Sequence, residues 1–438
     1  MKAKVTSALL GLALLGAASA ASAQTEQFIP ILSYRVGPYA AGGSGYFGGA
    51  IDYFSLINAT GGINGVKLLW EECETEYNAS RGVECYERLK KKNGGASTVE
   101  PLSTGIAYGL LDRVAQDRIP MTTFGYGSAN AADGRVFNWV FPVGTTYWNQ
   151  AAAMIAYLGQ KEGGLDKLKG KKIVHLYHDS AFGKEPIPVL DALAAKHGFE
   201  LMKIAVAHPG NTQESQWLQI RQARPDYVIL WGWGVMNPTA LKAAAKVGFP
   251  RTKMIGVWWA GSEEDVIPAG DASKGYITAA FSAPGTGFPV MQDIQKKVYG
   301  AGKGNLEDTS RIGSIYHTRG VSYGIIIVEA IRKAQEKYGK GKVMTPEQVR
   351  WGLENLNLTE ARIKELGAGG MFPPIKTSCL DHEGSGMVRF QQWDGKGFKP
   401  LTPFMAGDKD LVRKMVDESA AKYAAEKKIA PRDCSKEM

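Results

Sequence analysis

Sulfur and imidazole are scarce in this chain: four cysteines and six histidines are spread over 438 residues. No Cys-x-x-Cys pair and no cysteine–histidine set with zinc spacing occurs, which argues against a structural metal site. A Gly-x-Ser-x-Gly elbow and a His-Glu-x-x-His pair are both missing, so two common hydrolytic arrangements drop out. Gly300–Gly304 (GAGKG) has the glycines of a phosphate loop, but glycine follows its lysine, and the spacing and the preceding strand do not fit. His175 and His178 stand three apart in a strand-like run, where such a pair points to opposite faces and cannot readily share an ion. Long apolar runs are lacking too. Ala8–Ala18 is the one candidate, and it falls short of the ~20 residues that span a bilayer. These absences set aside hydrolases, metalloproteins and integral membrane proteins; no catalytic residue, metal or cofactor is expected.

What is present begins with export. Lys2 and Lys4 precede the apolar run, and Ala21-Ser22-Ala23 supplies a small-x-small cleavage pattern, so residues 1–23 read as a signal peptide cleaved before Gln24. Glutamine at that position offers no site for lipid attachment. The mature chain, about 415 residues long, is expected in the periplasm and can build two lobes, each with its own core. The formal charge of +9 falls to +7 without Lys2 and Lys4, since residues 1–23 hold no acid. Basic residues are scattered apart from Lys90–Lys92 and a mixed-charge tail, which describes a solvated surface and not a nucleic-acid partner. In an exported chain the cysteines favour disulfides. Cys73 and Cys85 suit a local loop staple, and Cys379 with Cys434 would tie the tail to the body. Four cysteines allow three pairings, so the connectivity stays open here.

Strand and helix patterns alternate. Strands are predicted over Phe28–Tyr34, Val66–Glu71, Ser97–Pro101 and Pro120–Phe124, with helices over Tyr46–Ala59, Ala79–Lys92 and Tyr108–Gln116 between them. A second series follows: strands Lys172–Tyr177, Glu200–Val206, Tyr227–Trp231 and Lys253–Val257, with helices Trp148–Gln160, Pro188–His197, Glu214–Arg224 and Asn237–Val247. This rhythm predicts an α/β protein of two lobes, each a mainly parallel sheet flanked by helices. Ligands of such sheets sit beyond the carboxyl ends of the strands, so two facing lobes make a cleft.

The segment Tyr53–Glu72 sharpens the expectation. It reads as a helix end, a stop at Gly61–Gly62, a tight turn at Asn64–Gly65 and an apolar strand. Asn-x-x-Gly-Gly-Ile-Asn-Gly, Asn58–Gly65, closely resembles the first-helix signature of the branched-chain-amino-acid type of periplasmic substrate-binding protein. Gly37-Pro38, Pro101–Thr104, Arg118–Thr123 and Phe141-Pro142 support the resemblance, which spans about Phe28 to Phe404. It implies a type I periplasmic-binding-protein fold with three crossings between lobes. Lobe 1 is then expected over 24–142 plus 284–385, and lobe 2 over 143–283 plus 386–405. Residues 406–438 form a charged helical extension.

The same resemblance implies a ligand site. Ser103 and Thr104, after the third strand, occupy the place of a carboxylate-binding hydroxyl and N–H group, at a strand-to-helix junction suited to an anion. Gly125, Tyr126 and Gly127, with Ser128 beside them, match the second donor loop. Departures from the pattern bear on the ligand. Gly42, within AAGGSG, replaces an aromatic of the first loop and is read as opening space; Phe182 replaces a tyrosine; Trp231, Trp233 and Trp258 follow later strands. The acid that holds an α-ammonium group in relatives falls near Trp258, with Glu263 and Glu264 a few residues on. Arg35 could add a charge-assisted contact. Aromatic or apolar organic acids are therefore favoured over branched-chain amino acids or amides. The resemblance also implies a monomer whose closure around a small molecule is read by an ABC importer permease. A ligand-sensing subunit of a membrane receptor is the alternative.

Overall fold

A computed structural model describes residues 26–436; the export signal and its cleavage point lie outside the described residues. β1 (Glu26–Ile31) and β2 (Lys67–Glu72) pair in parallel, and α1 (Ala40–Ala59) connects them. β1 is buried along nearly its whole length, as a strand covered on both faces must be. Parallel bridges Ile31–Glu100 and Val99–Met121 carry the sheet on to β3 (Met121–Thr122), which pairs with β4 (Val140–Phe141). The helices α2 (Ala79–Leu89) and α3 (Thr104–Asp117) complete this half.

The glycine-rich signature has a physical explanation. Gly61 and Gly62 have φ of +107° and +83°, which ends α1, and Asn64 and Gly65 at +50° and +94° turn the chain back. Ile63 and Val66 close that turn by exchanging backbone hydrogen bonds of 2.7 and 3.1 Å. Asn58 then fastens helix to strand: its Nδ2 donates to the Leu68 carbonyl and its Oδ1 accepts from Leu68 N–H, both at 2.8 Å.

The second sheet has seven strands. β5 (Lys172–His178), β6 (Glu200–Val206), β7 (Tyr227–Trp231), β8 (Met254–Gly256) and β9 (Ile277–Ala280) are parallel in the order β6-β5-β7-β8-β9. Its helices are α4 (Tyr147–Glu162), α5 (Ala181–Lys184), α6 (Ile187–His197), α7 (Glu214–Ala223), α8 (Met236–Lys246) and α9 (Glu263–Val266). The chain then returns to the first half through α10 (Pro289–Lys297), α11 (Ile315–Tyr338), α12 (Pro346–Glu354) and α13 (Glu360–Glu365). A small antiparallel pair, β10 (Asn357–Leu358) and β11 (Ile375–Lys376), precedes β12 (Arg389–Trp393) and β13 (Phe398–Pro400). β12 adds antiparallel to β9, and β13 to β12. α14 (Lys409–Lys427) ends the fold.

Two helices start well before the sequence pattern predicts: α3 at Thr104, not Tyr108, and α1. α1 begins at Ala40, not Tyr46, because AAGGSG is helical and not a loop. Glycine is unfavourable inside a helix, but here it allows close approach. A Cβ at Gly49 would lie 2.0 Å from the His317 carbonyl oxygen, and one at Gly320 would lie 1.9 Å from that of Tyr46. α1 and α11 therefore touch backbone to backbone.

Segments between the halves pair with each other. Gly144 N–H donates to the Glu383 carbonyl at 2.8 Å, and Gly386 N–H to that of Gly144 at 2.9 Å. Both expected disulfides form, Cys73–Cys85 and Cys379–Cys434, each with Cα atoms 5.7 Å apart. No helix among the described residues is long and apolar enough to cross a membrane.

Candidate ligand-binding site

Between the two halves lies a small cavity of about 10 Å³, roughly the room of one water, lined by Tyr77, Leu102, Ser103, Thr104, Tyr126, Tyr147, Phe182, Trp233 and Trp259. The loop that enters it from the first sheet is held in an unusual shape. Leu102 adopts φ of +43°, which costs energy in a non-glycine residue and is kept only where neighbours impose it. Tyr34 OH donates to the Leu102 carbonyl at 3.0 Å, and Leu102 N–H donates to Tyr126 OH at 2.7 Å. Ser103 then caps α3, its Oγ accepting from Ile106 N–H at 3.4 Å. Thr104 opens the helix with its hydroxyl buried and making no hydrogen bond. A helix N-terminus with a spare hydroxyl is suited to a carboxylate.

The far wall is aromatic. Trp233 and Trp259 meet edge to face at 5.4 Å, and Trp259 also stacks near Tyr316. Trp258 and Trp259 both donate their indole N–H to the Gly125 carbonyl, at 3.0 and 3.3 Å, which joins the two halves. Tyr39 OH and His178 Nε2, 2.8 Å apart, form another such contact, so His178 orders the cleft.

Of the residues expected at the site, Ser103, Thr104, Tyr126, Phe182 and Trp233 line the cavity. Gly125 and Trp258 form the clamp beside it, and Gly127 continues that loop at φ of +85°. Ser128 is turned aside, its hydroxyl donating to Asn130 at 2.6 Å. Trp231 packs one layer back, against Tyr147 at 5.3 Å. Arg35 is elsewhere: it pairs with Glu72 at 3.0 Å and donates to Asn305 and to the Ser44 carbonyl, at the rim of a separate groove. The space expected at Gly42 is taken by protein, since a Cβ there would lie 2.3 Å from the Trp233 ring. Glycine at this point admits Trp233 rather than ligand. Sequence reasoning missed Tyr77, Leu102, Tyr147 and Trp259. Trp259 adjoins a residue that was considered, and Tyr147 directly follows the first crossing; Tyr77 and Leu102 gave no signal beyond their loops.

Charge is distributed unevenly around the cavity. Glu263 accepts from Ile315 N–H at 2.9 Å and Glu264 from Ser314 OH at 2.7 Å, so both are engaged at the start of α11. That placement suits carboxylates, because a helix N-terminus is electropositive. Asp265 accepts from Tyr316, Asn237 and Ser262. None of the three lines the cavity. Glu100, beneath Tyr126, accepts from Tyr46 OH at 2.9 Å, and burial pushes its carboxyl up to about 8. Glu185 accepts from Ala129 N–H across the cleft at 2.6 Å and is likewise raised by burial to about 8. At neutral pH both are largely uncharged.

A family model described as "Periplasmic binding protein" matches residues 26–398. Among solved structures, an ABC transporter permease from the Pseudomonas fluorescens group is 46% identical, with 94% of this chain and 100% of that chain covered and a TM-score of 0.87. A branched-chain amino acid ABC transporter from Thermus thermophilus with bound valine is 20% identical, covering 90% and 99%, with a TM-score of 0.75. A solute-binding protein from R. palustris in complex with benzoate is 17% identical, covering 87% and 98%, with a TM-score of 0.67. Likeness at that level concerns the fold alone. A comparison with curated protein sequences returned no match.

Proposed function

Starting from the premise that the chain belongs to the periplasmic binding protein family, we propose that it captures a small aromatic or apolar carboxylate in the cavity between its lobes. At family level it is an extracytoplasmic solute-binding protein of ABC transporters, of the leucine-binding-protein type, and not an enzyme. The carboxylate reading is carried by one observation: the cavity combines the Ser103–Thr104 helix start with aromatic walls, while Glu263, Glu264 and Asp265 are committed elsewhere. A buried ammonium group without an acidic partner would be strongly disfavoured. Benzoate bound by one relative agrees with this reading; valine bound by another supports the competing one.

In this reading the lobes are 24–142 plus 284–385 and 143–283 plus 386–405, hinged at the crossing segments. Ligand binding favours the closed arrangement by making contacts that exist only there, and the permease distinguishes closed from open. Ser103, Thr104, Tyr126, Phe182, Trp233 and Trp259 contact the ligand, with Gly125 and Trp258 holding the closed form. Arg35 is left out of the site.

A thermal-shift panel tests the proposal, since a ligand that binds only the folded state raises the melting temperature. Benzoate, cinnamate or hexanoate is expected to stabilise the mature protein, and leucine and valine are not. Stabilisation by leucine or valine alone would overturn the carboxylate reading.

A further inference from the structure

Arg319, in the second turn of α11, is only 2% exposed, yet no carboxylate among the described residues pairs with it. A guanidinium has five N–H donors. Here Nη1 donates to the Trp258 carbonyl at 3.0 Å, while Nε and Nη2 have no hydrogen-bond partner in the protein. Its central carbon lies 4.5 Å from the centre of the Trp259 ring, a cavity wall, and 5.8 Å from that of Tyr316. Burial lowers its pKa to about 10, which still leaves it charged at neutral pH. Tyr147, another lining residue, is among the groups that interact with its charge.

Such a group is costly. A buried charge is ordinarily paired and fully hydrogen-bonded, and contact with an aromatic face only partly replaces that. Nearby carboxyls offset it only in part: burial keeps Glu100 largely protonated, and Asp265, which does act on the Arg319 charge, makes its hydrogen bonds to Tyr316, Asn237 and Ser262 and none to the guanidinium. Among the described residues no carboxylate touches the guanidinium to complete the offset.

We propose that Arg319 makes the cavity selective for anions, its positive field reaching a bound carboxylate through the Trp259 wall. The inference rests on the carboxylate reading above and deepens it. Arg319 touches the wall and not the ligand, so it positions charge instead of contacting substrate. Between buried aromatic walls that field is screened less than in bulk water, and a neutral isostere of the same shape gains nothing from it.

The test compares benzoate with benzamide, and hexanoate with hexanamide, by calorimetry on the full mature protein and on the variants Arg319→Met and Arg319→Lys. The wild type is expected to bind each acid at least tenfold more tightly than its amide. Arg319→Met should bring that ratio to within twofold of unity, and Arg319→Lys should keep most of it. Ligand-free Arg319→Met should melt no lower than the wild type, because a purely structural arginine would leave a destabilised protein and this one is only partly compensated. An unchanged acid-to-amide ratio in folded Arg319→Met overturns the inference while the carboxylate reading stands. If Arg319→Met does not fold, loss of the preference in Arg319→Lys overturns it instead. A wild type that binds leucine or valine and no acid removes the reading itself.

Discussion

The cleft wall and the C-terminal segment both join the two lobes, but they do so with opposite chemistry. The cleft is joined through aromatic rings and a few hydrogen bonds, and it leaves Thr104 Oγ, Trp233 Nε1 and two nitrogens of Arg319 unsatisfied. The tail is joined by covalent and ionic ties. Asp408 pairs with Lys196 on α6, Asp417 receives Arg135 at 2.9 Å, and Lys427 reaches Asp112 on α3 at 2.6 Å. Tyr423 stacks on Phe137 with ring centres 4.7 Å apart, and Cys434 is bonded to Cys379. Unmet hydrogen bonds mark a surface that changes partners; dense local ties mark one that keeps them. The tail therefore maintains the assembly while the cleft is free to respond to ligand.

Breaking the tail gives the largest expected change in stability. Replacing both Cys379 and Cys434 by serine should lower the unfolding free energy by about 2–4 kcal/mol, read by urea denaturation. Affinity for the best-bound acid should stay within about threefold, a change under 1 kcal/mol. If affinity falls in step with stability, the tail belongs to the binding surface and the contrast fails. The complementary change is Trp259→Ala, which removes a wall of the cavity. Affinity should fall at least about 100-fold, close to 3 kcal/mol. Ligand-free stability should fall by less than the usual cost of truncating a core tryptophan, about 3–5 kcal/mol.

The division between what the sequence made legible and what it did not follows the same line. The α/β rhythm could be read from alternating apolar runs and glycine stops, because local signals determine which segments are strands and helices, although the starts of α1 and α3 were missed by six and four residues. Asn58–Gly65 was legible for the same reason, its hydrogen bonds being local or to the adjoining strand except for the one Asn64 donates to Gln335 on α11. Both disulfides suited their spacing. Gly42 misled, since its neighbour is Trp233, almost two hundred residues away, and only the closed lobes show that the ring fills the space. Arg35 misled because Glu72 and Asn305 claim it from two other segments. Arg319 carried no local signal: no helix was expected over 315–338, and it is the packing of α11 against the Trp258–Trp259 loop that buries the side chain. Long-range competition for a side chain is invisible to local pattern.

Acidity offers a final way to separate the two regions, since their carboxyls are perturbed in opposite directions. On the cleft side and at the crossing, burial raises Glu100 and Glu185 to about 8 and Asp265 and Glu383 to about 7. A raised carboxyl binds its proton more tightly in the folded state, so its stabilising contribution is complete below the unfolded value and is lost as pH rises through the folded one. Buried His175 and His178, both lowered to about 4 by desolvation, act the other way and add stability as pH rises from about 4 to 6.5. The two effects oppose each other in mild acid, and above pH 6.5 only the carboxyls remain. Melting temperature is therefore expected to fall between pH 6.5 and 8, by the equivalent of about 5 kcal/mol if the four carboxyls titrate independently, and Glu185→Gln, which keeps the acceptor for Ala129 N–H, should remove about a third of that decline. The tail acids respond elsewhere. Asp112 is lowered chiefly by its hydrogen bond from Lys427, so its contribution is present above the unfolded value and disappears only in stronger acid. Asp112→Asn should leave the slope between pH 6.5 and 8 untouched. A tail variant that altered that slope, or a Glu185→Gln protein that kept it whole, would show that the two regions are not energetically separate.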